Sequence, residues 1–303
     1  MISGGASLKG RHIAITGGTS HTGRRLAGRL LGEGAVLRCL SHDPANRHRL
    51  PEAPESQMSI ISGSADKPED LEKMMDGADT LIHLAGQLFT PTIIDFLEKR
   101  GKPVRLLVQS STRRLSRFDT PTRRDVIASE EAVERSSGTI NWTILRPAMI
   151  FGGPDDNNIE RLAATLRRWR CFPIFGSGEN LIQPLFVLDL VEAHIAALKR
   201  PQASSGRSYT LAGPEAMPYR DFVKKVAHAA GVKRVCLIPI PRKPALWTAK
   251  CIAALWRKSP VNPEAIERFG EDRAFDISPA REGLAYSPTA FEEALEMKFS
   301  GQL

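Results

Sequence analysis

RHIAITGGTSHTGRRLAGRLLGEG, Arg11 to Gly34, is the stretch that decides the fold. It opens with an apolar run, passes through a turn of small residues, and ends with Leu26, Ala27, Leu30 and Leu31 on one face of a helix. A strand, a tight turn and a helix in that order present the N-terminus of the helix above the end of the strand. Glycine lets the backbone come close to a pyrophosphate, and the unpaired N–H groups of the first helical turn face its charge. A glycine string alone says little, but between a strand and a helix it points to a dinucleotide. The competing reading is a tight β–α turn with no ligand.

Working outward, the first half of the chain alternates between strand and helix. Strands are expected over Ala35 to Leu40, Met58 to Ser62, Thr80 to Ala85, Val104 to Gln109 and Thr143 to Leu145. Helices are expected over Pro68 to Met75, Pro91 to Arg100 and Arg123 to Arg135. Runs such as LIHLA and VRLLV are apolar throughout, as strands are when both faces of a parallel sheet are covered. The fold class is therefore α/β, a Rossmann-type doubly wound parallel sheet. From Phe151 the texture changes to GGPDDNN and FPIFGSGENLIQPLF, with Pro- and Gly-rich joints between short helices. This divides the chain into a dinucleotide-binding part, 1–150, and a smaller α/β lobe, 151–303, intertwined with it.

The turn TGGTSHTG (Thr16 to Gly23) resembles the TGxxGxxG fingerprint of the extended and atypical short-chain dehydrogenases/reductases, the epimerase/dehydratase superfamily. LRPAMIFGG (Leu145 to Gly153), LFVLDLVEAHIAAL (Leu185 to Leu198) and EDRAFDISPAREGLAYSPTAFEEAL (Glu271 to Leu295) match further landmarks, so the resemblance covers nearly the whole chain. It implies that Gly17, Thr19, Ser20, His21, Thr22 and Gly23 meet the cofactor, with Ser20 where the second glycine is expected. It also implies that Leu84, Ala85 and Gly86 line the cofactor's middle and that Pro147 lies near the nicotinamide. At the end of the second strand, His42 stands in for a phosphate-binding arginine, with Arg38, Arg47 and Arg49 nearby. NADP is preferred on that ground, and NAD is the alternative, with Asp43 as its selector. Ser64 replaces the aspartate that would meet the adenine.

The superfamily usually works through a serine or threonine together with a tyrosine and lysine spaced YxxxK on one helix. The lysine favours the tyrosinate, which exchanges a proton with substrate. No YxxxK occurs in this chain. By the resemblance, VIASEEAVE (Val126 to Glu134) puts Val126 at the tyrosine position and Glu130 at the lysine position. Ser111, with Thr112 beside it, keeps the serine position. If only two residues were missing, restoring Tyr and Lys together should give activity on a generic keto substrate. In GSGENLIQPLFVLD (Gly176 to Asp189), Ile182 occupies the place of an arginine that grips a sugar-nucleotide diphosphate, and Gln183 follows it. That form resembles the branch of the complex I 39-kDa subunit. Asp189 is expected to hydrogen-bond the start of its own helix.

The formal charge of +8 favours anionic partners. Arg113 and Arg114, in the loop beside Ser111, are the candidates for holding an anionic substrate, the other reading being a solvated loop. ERLAATLRRWR (Glu160 to Arg170) reads as a surface helix, and no nucleic-acid motif accompanies it. KPALWTAKCIAALWRK (Lys243 to Lys258) reads as a helix capping the smaller lobe or a homodimer contact, with a seat on a membrane surface as the alternative. The four cysteines show no CxxC and read as reduced, mostly buried thiols; the histidines form no metal motif. MISGGASLKG lacks a signal-peptide pattern, so a cytoplasmic setting is expected. The whole points to an NAD(P)(H)-binding, oxidoreductase- or epimerase-like enzyme for a phosphorylated or nucleotide-linked substrate, with non-standard acid/base residues. The alternative is a catalytically silent sensor or assembly protein.

Overall fold

The computed structural model describes residues 6–255 and 263–302. Seven parallel strands make the central sheet: β1 (His12–Thr16), β2 (Val36–Ser41), β3 (Met58–Ser62), β4 (Thr80–His83), β5 (Val104–Gln109), β6 (Ile140–Pro147) and a seventh, Arg207–Leu211. Their order is β3-β2-β1-β4-β5-β6 and then the seventh. The winding reverses between β1 and β4, which opens a crevice above the carboxyl ends of the strands.

Alternation along each strand feeds two separate cores. Ile13 and Ile15 of β1 pack with Leu26, Ala27 and Leu30 of α1 (His21–Gly32) and with α6 (Val187–Lys199) on one face. Ala14 packs on the other face with α2 (Pro68–Met75), α3 (Thr90–Arg100) and α4 (Pro121–Glu134). Leu26, Ala27 and Leu30 are fully buried. At about 1.5–3 kcal/mol for each leucine so buried, this face holds α1 in place above the turn. Ser20 caps the helix, its Oγ accepting the Gly23 N–H at 3.1 Å.

The smaller lobe gathers α5 (Asn157–Trp169) and the helices Tyr219–Ala229 and Phe291–Phe299 around an aromatic core, in which Phe151 and Phe291 meet edge-on at 5.1 Å. The seventh strand and α6 both come from the second half of the sequence yet complete the first half's sheet and core. Asp189 does not bond the start of its own helix. It accepts the Thr289 N–H at 2.9 Å and the Thr289 hydroxyl at 2.8 Å, tying α6 to the segment before the last helix.

Strand β6 runs longer than its apolar centre suggests, because Ile140 and Pro147 pair on either side with β5 and the seventh strand. Of the cysteines, Cys39 is buried, Cys171 and Cys251 are half-buried and Cys236 is exposed. Within Lys243 to Lys258, Trp247 stands on the helix Arg242–Leu255 and is 71% exposed, while Trp256 lies outside the described residues. Among the described residues no helix is long and apolar enough to cross a membrane.

Candidate dinucleotide site and adjoining cleft

The turn above β1 has no room for side chains at two points. Gly17 has φ +72°, and a Cβ there would fall 2.8 Å from the Ala85 nitrogen and 2.9 Å from the Leu84 carbonyl carbon. At Gly23 a Cβ would lie 2.2 Å from the Gly17 oxygen. The glycines therefore let β1, the start of α1 and the β4 end at Leu84–Ala85 close together, which brings the N-terminus of α1 to the switch point. Of the expected cofactor residues, Thr19, Ser20 and His21 are half-buried on this rim, whereas Thr22 points inward at 4% exposure. Ser20 uses its oxygen on the cap, so the residue standing for a glycine has a local role of its own.

His21 turns away from the rim. Its Nε2 donates to the Gly152 carbonyl at 2.5 Å, and burial pushes its pKa below the ordinary value. The loop after β6 is thereby joined to α1. Asp155 in that loop strengthens the junction: Arg24 lies 2.6 Å, Arg25 3.4 Å and Arg49 3.7 Å from its carboxylate. Burial opposes the charge on Asp155, but His21, Arg24 and Arg25 outweigh it and hold the carboxyl below its usual range.

At the expected adenosine end, His42 is exposed just beyond β2. Asp43 is directed to its own turn: Oδ1 accepts the Ala45 N–H at 2.9 Å and Oδ2 the Asn46 amide at 3.2 Å. Arg38 reaches the other way and caps α2 through the Lys73 and Met74 carbonyls. Ser64 donates its N–H to Asp70 at 3.1 Å and its hydroxyl to Asp66. Beneath the crevice, His83 bridges Thr16 at 2.6 Å and Thr90 at 3.2 Å, and burial pushes its pKa down to about 4.

A cleft of about 430 Å³ opens beside the crevice, over the ends of β5 and β6. Ser111, Thr112, Arg113, Pro147 and Gln183 line it, as do Arg268 and Arg273. Ser111 Oγ accepts the Arg113 N–H at 3.2 Å, which leaves the hydroxyl proton to donate. Gln183 lines the wall with its amide already committed: Nε2 donates to the Gly213 carbonyl and Oε1 accepts the Phe275 N–H, each at 2.7 Å. Sequence reasoning did not single out Arg268 and Arg273, which the chain brings back to the cleft from the far end of the smaller lobe. The Arg273 guanidinium lies 5.7 Å from the Phe269 ring, and its buried Nε has no hydrogen-bond partner among the described residues. Burial, and then the charge of Arg268, push its pKa down. An anion in the cleft would relieve both penalties.

The two positions of the absent catalytic pair are closed to the cleft. Val126 is 1% exposed and Glu130 fully buried. Glu130 receives Arg146 through Nε at 2.9 Å and Nη2 at 2.6 Å, Arg114 at 3.1 Å, and the Ser110 hydroxyl. Arg114, expected to hold substrate, is thus drawn inward to a carboxylate. Within the rest of that loop, Arg124 pairs with Asp119 at 2.9 Å, and Glu271 accepts the Ser116 hydroxyl at 2.9 Å and the Arg117 N–H at 3.1 Å. The loop is tethered to the same segment that carries Arg268 and Arg273.

Comparison with known proteins agrees with this geometry. An NAD(P)H-binding family model matches residues 17–167, and the NAD dependent epimerase/dehydratase family model matches residues 124–212. The chain is 24% identical to the mitochondrial NADH dehydrogenase [ubiquinone] 1 alpha subcomplex subunit 9 of Arabidopsis thaliana, over 70% of this chain and 56% of that protein, so it spans about half the length of that relative. It is 24% identical to short-chain dehydrogenase/reductase family 42E member 1 of Bos taurus, over 94% of this chain and 86% of that one. Among solved structures, dTDP-glucose 4,6-dehydratase of Bacillus anthracis in complex with NAD superposes with a TM-score of 0.74 at 15% identity, covering 96% of each chain.

Proposed function

From its place in the NAD(P)H-binding epimerase/dehydratase family, as an atypical extended short-chain dehydrogenase/reductase, the family to which this chain belongs, we propose that it is an oxidoreductase acting on an anionic small molecule, phosphorylated or nucleotide-linked, held in the cleft beside a nicotinamide dinucleotide. The observation that carries this reading is the pair Arg268 and Arg273 lining a cleft that also presents Ser111, Thr112 and Arg113. Guanidinium forks suit phosphate and carboxylate. The solved dehydratase, whose name includes a sugar nucleotide, gives a precedent for such a substrate on this fold.

The cradle fits a dinucleotide. Space that a Cβ would fill at Gly17 and Gly23 is kept clear at the switch point, and α1 starts there. A bound nicotinamide supplies hydride exchange at carbon. The chain's own part is to orient and polarise: the Ser111 hydroxyl and the cleft arginines donate to a substrate oxygen, and the proton balance is met from solvent. NADP is favoured over NAD because Asp43 is occupied by its own turn while His42 stays open at the ribose end.

A second reading, a binding protein without catalysis, draws on the sealing of Val126 and Glu130 away from the cleft. Calorimetric titration with NADPH, NADH and their oxidised forms, after removal of carried-through cofactor, tests the dinucleotide site; NADPH is expected to bind most tightly. If no form binds, the whole reading falls. If dinucleotide binds but no phosphorylated or nucleotide-linked carbonyl compound turns over or tightens that binding, the second reading replaces the first.

A further inference from the structure

The smaller lobe carries a short parallel ribbon of two strands, Cys171–Phe175 and Cys236–Ile240. Its first register pair is Cys171 opposite Cys236. Neighbouring strands lie about 4.8 Å apart, within the Cα separation of roughly 4.4–6.8 Å that a disulfide needs. Cys236 stands close enough to Cys171 to help push its thiol pKa up, after burial. Cys236 is exposed and Cys171 half-buried, so one sulfur meets solvent and the other lies behind it. A groove of about 650 Å³ adjoins the ribbon and is lined by four cations, Arg167, Arg170, Lys233 and Arg234. Arg170 immediately precedes Cys171, and its carbonyl accepts the Cys236 N–H at 2.8 Å.

We infer that Cys171 and Cys236 form a thiol–disulfide site that reacts with an anionic low-molecular-weight disulfide, of the class of glutathione disulfide, and closes to an internal cross-link. The Cys236 thiolate attacks one sulfur of the small disulfide, forming a mixed disulfide and releasing one thiolate, which takes up a proton. Cys171 then loses its proton to solvent and attacks the Cys236 sulfur, expelling the second small thiol. Two protein thiols are oxidised and one small disulfide is reduced to two thiols. The order follows from exposure, since burial pushes the Cys171 thiol up and leaves Cys236 the accessible nucleophile. The four cations raise the local concentration of an anionic reagent.

The ribbon also supports the arginines of the cleft. Phe175, on the same strand as Cys171, packs 5.4 Å from Phe269, next to Arg268. A cross-link at its start would stiffen that support.

The test equilibrates the full chain in glutathione buffers of graded oxidised-to-reduced ratio, quenches it with acid, alkylates what remains free in denaturant, and maps tryptic peptides. The expected result is joint loss of Cys171 and Cys236, with peptide 171–199 linked to peptide 235–242 within one chain, while Cys39 and Cys251 alkylate throughout. The two should disappear together with a two-electron slope, about 30 mV per tenfold change in the equilibrium constant. Cys171→Ser should stop the reaction at a glutathione adduct on Cys236. Replacing Arg170 and Arg234 with Gln should slow the first step several-fold with glutathione disulfide but not with neutral hydroxyethyl disulfide. Independent glutathione adducts at every ratio, links only between chains, or no oxidation would each overturn the inference.

Discussion

Replacing Glu130 should act on this protein's stability before it acts on any chemistry. The carboxylate is fully buried and receives Arg146 twice, at 2.9 and 2.6 Å, Arg114 at 3.1 Å, and the Ser110 hydroxyl. Removing one member of a buried ion pair strands the other charge and costs about 3–5 kcal/mol. For a chain of this size, where about 1 kcal/mol moves the midpoint by roughly 2 °C, that is a fall of roughly 6–10 °C in Tm for Glu130→Gln. Glu130→Lys should fall further, because it sets a third cation beside two guanidinium groups. Circular dichroism melts of the parent and both variants measure this. The apolar replacement Glu130→Leu with Arg146→Met should recover most of the loss, since buried pairs exchange for well-packed apolar groups at little net expense. If Glu130→Lys melts within about 2 °C of the parent, the carboxylate is not neutralising the arginines and the reasoning fails. Restoring the family's pair by Val126→Tyr with Glu130→Lys is for the same reason no clean test of activity. It needs a change at Arg146 alongside, or the variant will be lost to unfolding.

Two buried histidines make stability depend on acid. Burial pushes the pKa of His83 and His194 down from 6.5 to about 4 each, so the unfolded chain binds more protons between those values. Their neutral burial therefore stabilises fully above pH 6.5 and is lost as pH falls towards 4, at pH 5 by about 2 kcal/mol for each group. Urea midpoints measured at pH 7.5 and 5 should drop accordingly, and a profile unchanged in His194→Gln would contradict the assignment. Gly23→Ala, whose Cβ would meet the Gly17 oxygen at 2.2 Å, should lower dinucleotide affinity at least tenfold in the calorimeter. Gly28→Ala on the same helix meets nothing within 4 Å and should instead stabilise by about 0.5–1 kcal/mol. Equal binding by the two alanine variants would defeat the cradle.

Periodicity made the dinucleotide half legible. Local apolar pattern sets the course of α1, β3, α2 and β5, and their observed bounds follow it closely. Loss of the tyrosine–lysine pair was equally open to view, because a missing side chain needs no contact to be noticed. What took its place was not. Glu130 read alone is a reversed charge, and only the fold shows Arg146 and Arg114 closing on it. Gln183 lines the cleft, yet its amide is spent on Gly213 and Phe275, and Arg114, expected beside it, is drawn off the cleft to Glu130. Arg268 and Arg273 escaped notice for the opposite reason. They lie in ERFGEDRAF, a segment with no periodic signal, and reach the cleft only because the chain's return packs Phe269 against Phe175 and Tyr219.

The seventh strand has a consequence for how the chain is made. Residues 207–211 pair along β6, and Arg105 on β5 reaches past Thr143 to the Ala197 carbonyl and the Ser204 hydroxyl. Until those residues have left the ribosome, β6 is an open edge and Arg105 has its bonds to Asn141 and Thr143 but not those to Ala197 and Ser204. The nucleotide-binding half therefore cannot finish folding ahead of the lobe that follows it. Synthesis must hold an incomplete sheet while some sixty more residues emerge, and the exposed edge is where a nascent chain of this design would be open to mispairing or chaperone capture.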